Sequence, residues 1–475
     1  MMKKIRNRSL IVWLLAMAFI GGMIYFSINL IIHADLWASK PQNAHIGVDG
    51  MGMAGTITDI NGEILAYSEN GNRYYNSNED IRCALLHTVG DEGRNIGGSV
   101  QNVYRSQLSG YSFIFGMGLP DGLTLGRNIQ LTVNSEICKT AYQALGNNRG
   151  AVFVYNYKTG EIVAKVSNPS YDPQNIPDIE GNDEYEGVYV DRSIMATYPP
   201  GSTFKLVTAS AALENMTKSE LENRTYTCTG SDTIGGNKIT CYEAHGEENF
   251  EQALSHSCNC YFAQLAVDLG ADKMTTQANR MGFNKSVSIN DIDTAKSVYD
   301  VSKADKNQLG WSGVGQYTTL ASPMTMAVIS GGIANGGTPI MPYLIKQISL
   351  PFGLPNIPQS GNKGTQMLSE QNAKTLSDMM RYTVENEYYG GGFNGEICAK
   401  TGTAEVGGGE AAHAWVTGFS RDESCPLAFA VIIENGDSGY YTALPVAAQV
   451  KFNPKPAAKA KPKKNGMKSI TSLTT

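Results

Sequence analysis

The stretch YPPGSTFKLVTA, running from Tyr198 to Ala209, decides how this chain is read. Two prolines and a glycine interrupt regular structure, and directly behind them Leu206, Val207, Ala209, Ala212 and Leu213 predict a largely buried helix from Lys205 to Met216. Ser202 and Lys205 are three positions apart, about one helical turn, and therefore share a face. A serine hydroxyl is a poor nucleophile until a base takes its proton, and a lysine can be that base only where burial or a nearby cation lowers its pKa. The competing reading makes Ser202 a helix cap and Lys205 a surface residue.

Spacing alone does not separate these readings, because Ser-x-x-Lys recurs at Ser360 and Lys363. That second copy lies in PNIPQSGNKGTQ, a loop rich in proline and glycine with no apolar helix behind it. Two companion motifs discriminate better. Ser-x-Asn occurs at Ser27, Ser68, Ser257, Ser288 and Ser360, and Lys-Thr-Gly at Lys158 and Lys400. Only Ser202 with Lys205, then Ser257-Cys258-Asn259, then Lys400-Thr401-Gly402 come in the required order with the first on a helix and the last on a strand.

On these motifs the chain resembles the class B penicillin-binding proteins, the membrane-anchored peptidoglycan D,D-transpeptidases. The likeness extends through GTITDINGEILA, GAVFVYNYKTGEIVAKVSNPSYDP, GVGQYTTLASPMTMAVISGGIANGG and AWVTGFS. It implies that Ser202 attacks the carbonyl between two terminal D-alanines of a stem peptide and that Lys205 accepts its proton. It further implies that Ser257 relays a proton, Asn259 holds substrate backbone and Lys400 keeps the cleft positive. Thr401, Gly402 and Thr403 would bind substrate, and the backbone N–H groups of Ser202 and Thr403 would form the oxyanion hole. The resemblance implies β-lactams as inhibitors and a glycan polymerase of the shape, elongation, division and sporulation family as partner, since the segment before Gly150 is too short for a polymerase domain. A D,D-carboxypeptidase or β-lactamase-like hydrolase, and a catalytically silent scaffold, are the alternatives. Where the family has glycine before Lys-Thr-Gly, this chain has Ala399, and the family's arginine-glycine start of the amino-terminal module reads Ala54-Gly55.

The surrounding sequence fits an enzyme working outside the cytoplasm. Lys3, Lys4, Arg6 and Arg8 precede an uncharged run from Leu10 to Ile32, longer than the about twenty residues that span a bilayer. The basic flank predicts a cytoplasmic amino terminus and an extracytoplasmic catalytic domain. A net charge of −6 in 475 residues excludes the basic balance of a nucleic-acid binder. The predicted organisation is a cytoplasmic tail (1–9), an anchor (10–32), an extended β-rich pedestal or dimerisation-like module (33–148), a transpeptidase domain (149–450) and a basic disordered tail (451–475). The fold class predicted is α+β, with helices packed on an antiparallel sheet that includes GAVFVYNYKTGEIVAKVSN, ICAKTGTAEV, HAWVTGFS and LAFAVIIEN.

Eight cysteines form no Cys-x-x-Cys pair, and Cys258 and Cys260 are too closely spaced for the usual zinc pattern, so neither a metal site nor a cofactor is predicted. A Cys228–Cys241 disulfide around Gly235-Gly236 and free thiols both remain open. Cys258 is expected to be a buried small residue, His245 and His413 to be structural or groove residues, and Glu161, Asp172 and Glu405 to be surface or strand-end carboxylates.

Overall fold

The computed structural model describes residues 2–38, 51, 54–109, 126–349 and 357–450 of the chain. The basic tail predicted from residue 451 lies outside them. The helix Met2–Ala38 contains Ser9–Asn29, whose 21 residues have a mean hydropathy of 2.2 and are not buried. At about 1.5 Å rise per residue it is long enough and apolar enough to cross a bilayer.

The centre of the molecule is a five-stranded antiparallel sheet ordered Ile397–Ala404, His413–Ser420, Leu427–Ile433, Gly150–Asn156 and Ile162–Asn168. Successive strand residues face opposite sides, yet every residue of Leu427–Ile433 is buried, so both faces of the sheet are covered. The apolar helix Pro323–Ala334 packs across the central strands and Glu370–Asn386 packs on the Lys400 strand. This is the predicted α+β arrangement. The Gly150 strand turns back through Lys158-Thr159-Gly160, where Gly160 has φ +84° and a side chain would meet the Met341 carbonyl oxygen at 2.6 Å.

A second, six-stranded sheet carries the amino-terminal segment. Ile57–Thr58 pairs with Ile64–Glu69 through the expected Asn61-Gly62 turn, and Asp59 fastens that turn by accepting from the N–H groups of Asn61 and Glu63. The strand Ile129–Leu131 joins them, and Ile345–Ile348 crosses back from far along the chain to pair with it. Arg73 fills the region beneath Ala54-Gly55, donating to the Ala54 and Gly55 carbonyl oxygens at 3.3 and 2.9 Å.

Candidate active site

Ser202 lies in a single 3₁₀ turn, Gly201–Phe204, that runs into the helix Lys205–Asn215. The helix is capped by Phe204 without a side-chain bond, so the cap role is not taken by Ser202. Its hydroxyl meets Lys205 Nζ at 3.0 Å instead. The approach is held from outside the motif: Tyr198 donates its hydroxyl to Glu434, Trp415 Nε1 donates to the Pro199 carbonyl, and the Gly201 N–H donates to the Gly315 carbonyl. Gly201 adopts φ +52°, and a side chain there would stand 2.5 Å from the Thr403 carbonyl oxygen. Only glycine lets the serine turn lie directly on the Lys400 strand.

Around Lys205 Nζ the fold assembles Asn259 Oδ1 at 2.7 Å, the Ser257 carbonyl oxygen at 2.5 Å and Ser257 Oγ at 3.1 Å. Lys400 Nζ reaches the same Ser257 Oγ at 2.9 Å and the Thr401 carbonyl at 3.0 Å. Ser257 holds φ +61°, an uncommon conformation for a residue with a side chain, which turns its carbonyl and hydroxyl together toward the two lysines. Asn259 opens the helix Asn259–Leu269 and its amide nitrogen donates to the Thr240 carbonyl at 2.8 Å, which orients Oδ1 toward Lys205. The five polar residues predicted on the first, second and third motifs thus share one hydrogen-bond network.

Both lysines are fully buried. Burial lowers Lys205 to about 8, despite the opposing influence of nearby cysteines and Glu248. Burial also pushes Lys400 well below the usual lysine range, and the Lys205 charge pushes it further. Of the two causes that the sequence left open, burial and a nearby cation, desolvation leads for both lysines, and the lysine–lysine effect falls on Lys400.

Thr401 and Thr403 lie on the edge strand of the sheet, with Thr403 exposed. Gly402 packs against the serine turn, where a side chain would meet the Pro200 carbonyl oxygen at 2.9 Å. Thr403 Oγ1 accepts from the Gly439 N–H at 3.3 Å. Tyr388, which carries no motif and went unread in the sequence, pins Thr401: its hydroxyl lies 2.8 Å from Thr401 Oγ1 and accepts from the Thr401 N–H at 2.9 Å. Ala399 is buried opposite Gly418, where any side chain would stand 2.9 Å from the Ala399 Cβ. The extra methyl at 399 is matched by a glycine across the ladder.

The repeated motifs separate clearly. Ser360 and Lys363 are exposed, and Lys158 is an exposed hairpin residue bonded to Asn335. Glu161 pairs with Lys346 and Asp172 with Arg82. His413 Nδ1 accepts from the Asn435 N–H. All eight cysteines are free. Cys228 and Cys241 do not form a disulfide; with His245 and Cys258 they place four ligand atoms within 4.8 Å of one another. The sequence spacing predicted no such cluster.

Residues 150–452 match the family model of the penicillin binding protein transpeptidase domain. The chain belongs to that family, and within it to the class B penicillin-binding proteins. Among its relatives is the peptidoglycan D,D-transpeptidase PbpA of Mycobacterium tuberculosis (strain H37Rv), 31% identical over 357 residues that cover 68% of this chain and 71% of the relative. Stage V sporulation protein D of Bacillus subtilis is 26% identical over 72% of this chain and 55% of its own length. In three dimensions the chain is similar to penicillin-binding protein A from M. tuberculosis, solved as a penicillin G acyl-enzyme complex, with a TM-score of 0.74 and 26% identity over 84% of this chain and 98% of that one.

Proposed function

We propose that the chain is a serine-type peptidoglycan D,D-transpeptidase in which Ser202 is the nucleophile and Lys205 its base. The observation that carries the assignment is the set of partners around Lys205 Nζ: Asn259 Oδ1 and the Ser257 carbonyl only accept, and among the described residues no carboxylate is bonded to the amine. A neutral amine has two N–H donors and one lone pair. The two acceptors take the donors, and the lone pair is left for the hydroxyl of Ser202, 3.0 Å away. With burial lowering Lys205 to about 8, a fraction of the amine is free at neutral pH.

In the acylation step Ser202 Oγ bonds to the carbonyl carbon between the terminal D-alanines while its proton passes to Lys205. The carbon–nitrogen bond then breaks, and the departing D-alanine amine takes a proton through Ser257 Oγ, which bridges the two lysines. The amine of a second stem peptide attacks the resulting ester and restores the serine. The N–H groups of Ser202 and Thr403 are assigned to the oxyanion, each such donor being worth about 2.7–4 kcal/mol. Thr401 and Thr403 on the edge strand, with Lys400, bind the substrate backbone and carboxylate. Gly402 keeps that strand close to the serine turn.

The anchor is assigned to the membrane with its basic flank in the cytoplasm and the catalytic domain outside, on the positive-inside rule. The segments 33–148 and 149–450 are assigned as pedestal and transpeptidase domain, and a membrane glycan polymerase as the partner that supplies the strands to be cross-linked. The decisive test is covalent labelling of the full chain with a fluorescent penicillin. Wild type should label and Ser202→Ala should not; equal labelling of the two would remove Ser202 from the mechanism.

A further inference from the structure

The loop that follows the helix Lys306–Gly313 touches both halves of the reaction centre. The Gly315 carbonyl accepts from the Gly201 N–H at 3.0 Å, and Gly315, at φ +78°, lies so close to the serine turn that a side chain would collide with the Gly201 carbonyl oxygen. The next residue reaches the other half. With its carboxamide in the orientation that pairs both of its groups, Gln316 donates Nε2–H to the Glu405 carbonyl at 3.3 Å and accepts the Glu405 N–H on Oε1 at 3.1 Å. We propose that Gln316 is a positioning residue for acylation: it yokes the end of the Lys400 strand to the serine turn and so fixes the Thr403 N–H relative to the Ser202 N–H.

The register of the strand shows what the yoke acts on. Along an antiparallel edge strand the backbone groups of successive residues point alternately to the neighbouring strand and to the open side. The Thr401 N–H donates to the Tyr388 hydroxyl and the Thr401 carbonyl accepts from Lys400 Nζ, so Thr401 faces the open side. Thr403 and Glu405, two and four residues on, face it as well. Tyr388 and Lys400 therefore fasten the edge before Thr403, and Gln316 fastens it after. The ladder to the neighbouring strand ends at the Ala404–His413 pair. Just beyond that end the carboxamide stands in for a strand, satisfying an N–H and a carbonyl at once.

Gln316 is itself held in place. Its N–H donates to the Trp311 carbonyl at 3.0 Å, and its carbonyl accepts from the Thr319 N–H at 3.3 Å. Tyr317 follows at φ +66°, uncommon for a bulky residue, so the turn that aims the carboxamide is kept at a conformational cost. An oxyanion donor meets charge that develops only in the transition state, so its placement governs the rate of bond formation and not the binding that precedes it. The inference rests on the transpeptidase reading, in which Ser202 and Thr403 supply those donors.

The test follows penicillin acylation of the full chain in detergent over a range of penicillin concentrations, which separates the limiting rate from the half-saturating concentration. Outright loss of one oxyanion donor costs about 10²–10³ in rate, and a displaced donor should cost less. Gln316→Ala should lower the limiting rate about tenfold while the half-saturating concentration stays within about twofold of wild type. Gln316→Met, which fills the same space without an amide, should do the same. An alkylboronic acid, whose tetrahedral adduct on the serine places an oxygen in the oxyanion hole, should bind both variants about tenfold more weakly. A Gln316→Met protein that acylates at the wild-type limiting rate would overturn the proposal, as would a raised half-saturating concentration at an unchanged limiting rate, or boronic acid binding equal to wild type. Equal labelling of wild type and Ser202→Ala would instead remove the transpeptidase reading. Gln316 variants at full speed in a chain whose Ser202→Ala form stays unlabelled would remove this inference alone.

Discussion

Two lysines are sealed into this molecule in opposite ways. Lys165, on the strand Ile162–Asn168, is paired with the buried carboxylate of Asp191 and donates to the His87 carbonyl at 3.3 Å. Burial alone would raise the Asp191 carboxyl, but Lys165, His87 and Ser193 outweigh it and hold it below the usual carboxylate range. Lys205 is equally buried, yet its closest partners are an amide oxygen, a carbonyl and two hydroxyls. Neutral acceptors do not repay the removal of a full charge from water, so its pKa falls to about 8. Burial with a counter-ion makes a strut, and burial without one favours the neutral amine that the proposed base requires.

The contrast can be broken by exchanging what each lysine is asked to do. Lys205→Met should lower penicillin acylation by about 10²–10⁴ with little change in the thermal unfolding midpoint, as expected for removal of a general base. Asp191→Asn should do the reverse, destabilising the fold by about 3–5 kcal/mol because Lys165 is left buried and unpaired, while the folded fraction still acylates. An Asp191→Asn protein with wild-type stability would remove the strut from the comparison.

The pH dependences should diverge as well. The proposed base, Lys205, requires the free amine, so acylation should rise with pH and level off above about 8. Asp191 is depressed in the folded state, so its share of stability is present above the unfolded carboxylate pKa and is lost as pH falls through the lower folded value. Acylation profiles and unfolding midpoints recorded over the same pH range would separate the two; an acylation rate flat from pH 6 to pH 10 would argue against Lys205 as base.

Smaller effects sharpen the picture of the Lys400 strand. Tyr388→Phe removes the hydroxyl that meets both the N–H and Oγ1 of Thr401, and should slow acylation several-fold, corresponding to about 0.5–1.5 kcal/mol. The least change is expected from Ser360→Ala with Lys363→Ala: both residues are exposed, and labelling and stability should stay within about 0.5 kcal/mol of wild type.

Much of this was legible in the chain itself. The apolar runs GAVFVYN and LAFAVII marked the strands, the Asn61-Gly62 and Lys158-Thr159-Gly160 turns marked hairpins, and motif order separated Ser202 from Ser360. These signals are local, set by side-chain period and backbone sterics. Three things were not legible. Tyr388 reaches Thr401 from the end of a helix and has no motif. Ile345–Ile348 joins the amino-terminal sheet by a crossover that periodicity does not encode. The cysteine cluster draws on four segments spread from residue 228 to residue 258, so no short spacing announces it.

The sequence by itself determined the reacting groups, their order and the membrane-spanning length of the first helix, because each depends on residue identity and near-neighbour spacing. Tertiary structure decided the environment that Lys205 occupies. Only the packing of the Lys400 strand on the Gly201 turn, and of the Ser257 loop against the serine helix, removes water from Lys205 without supplying a carboxylate. A pKa near 8 is a property of that enclosure, and the exposed copy at Ser360 and Lys363 has none.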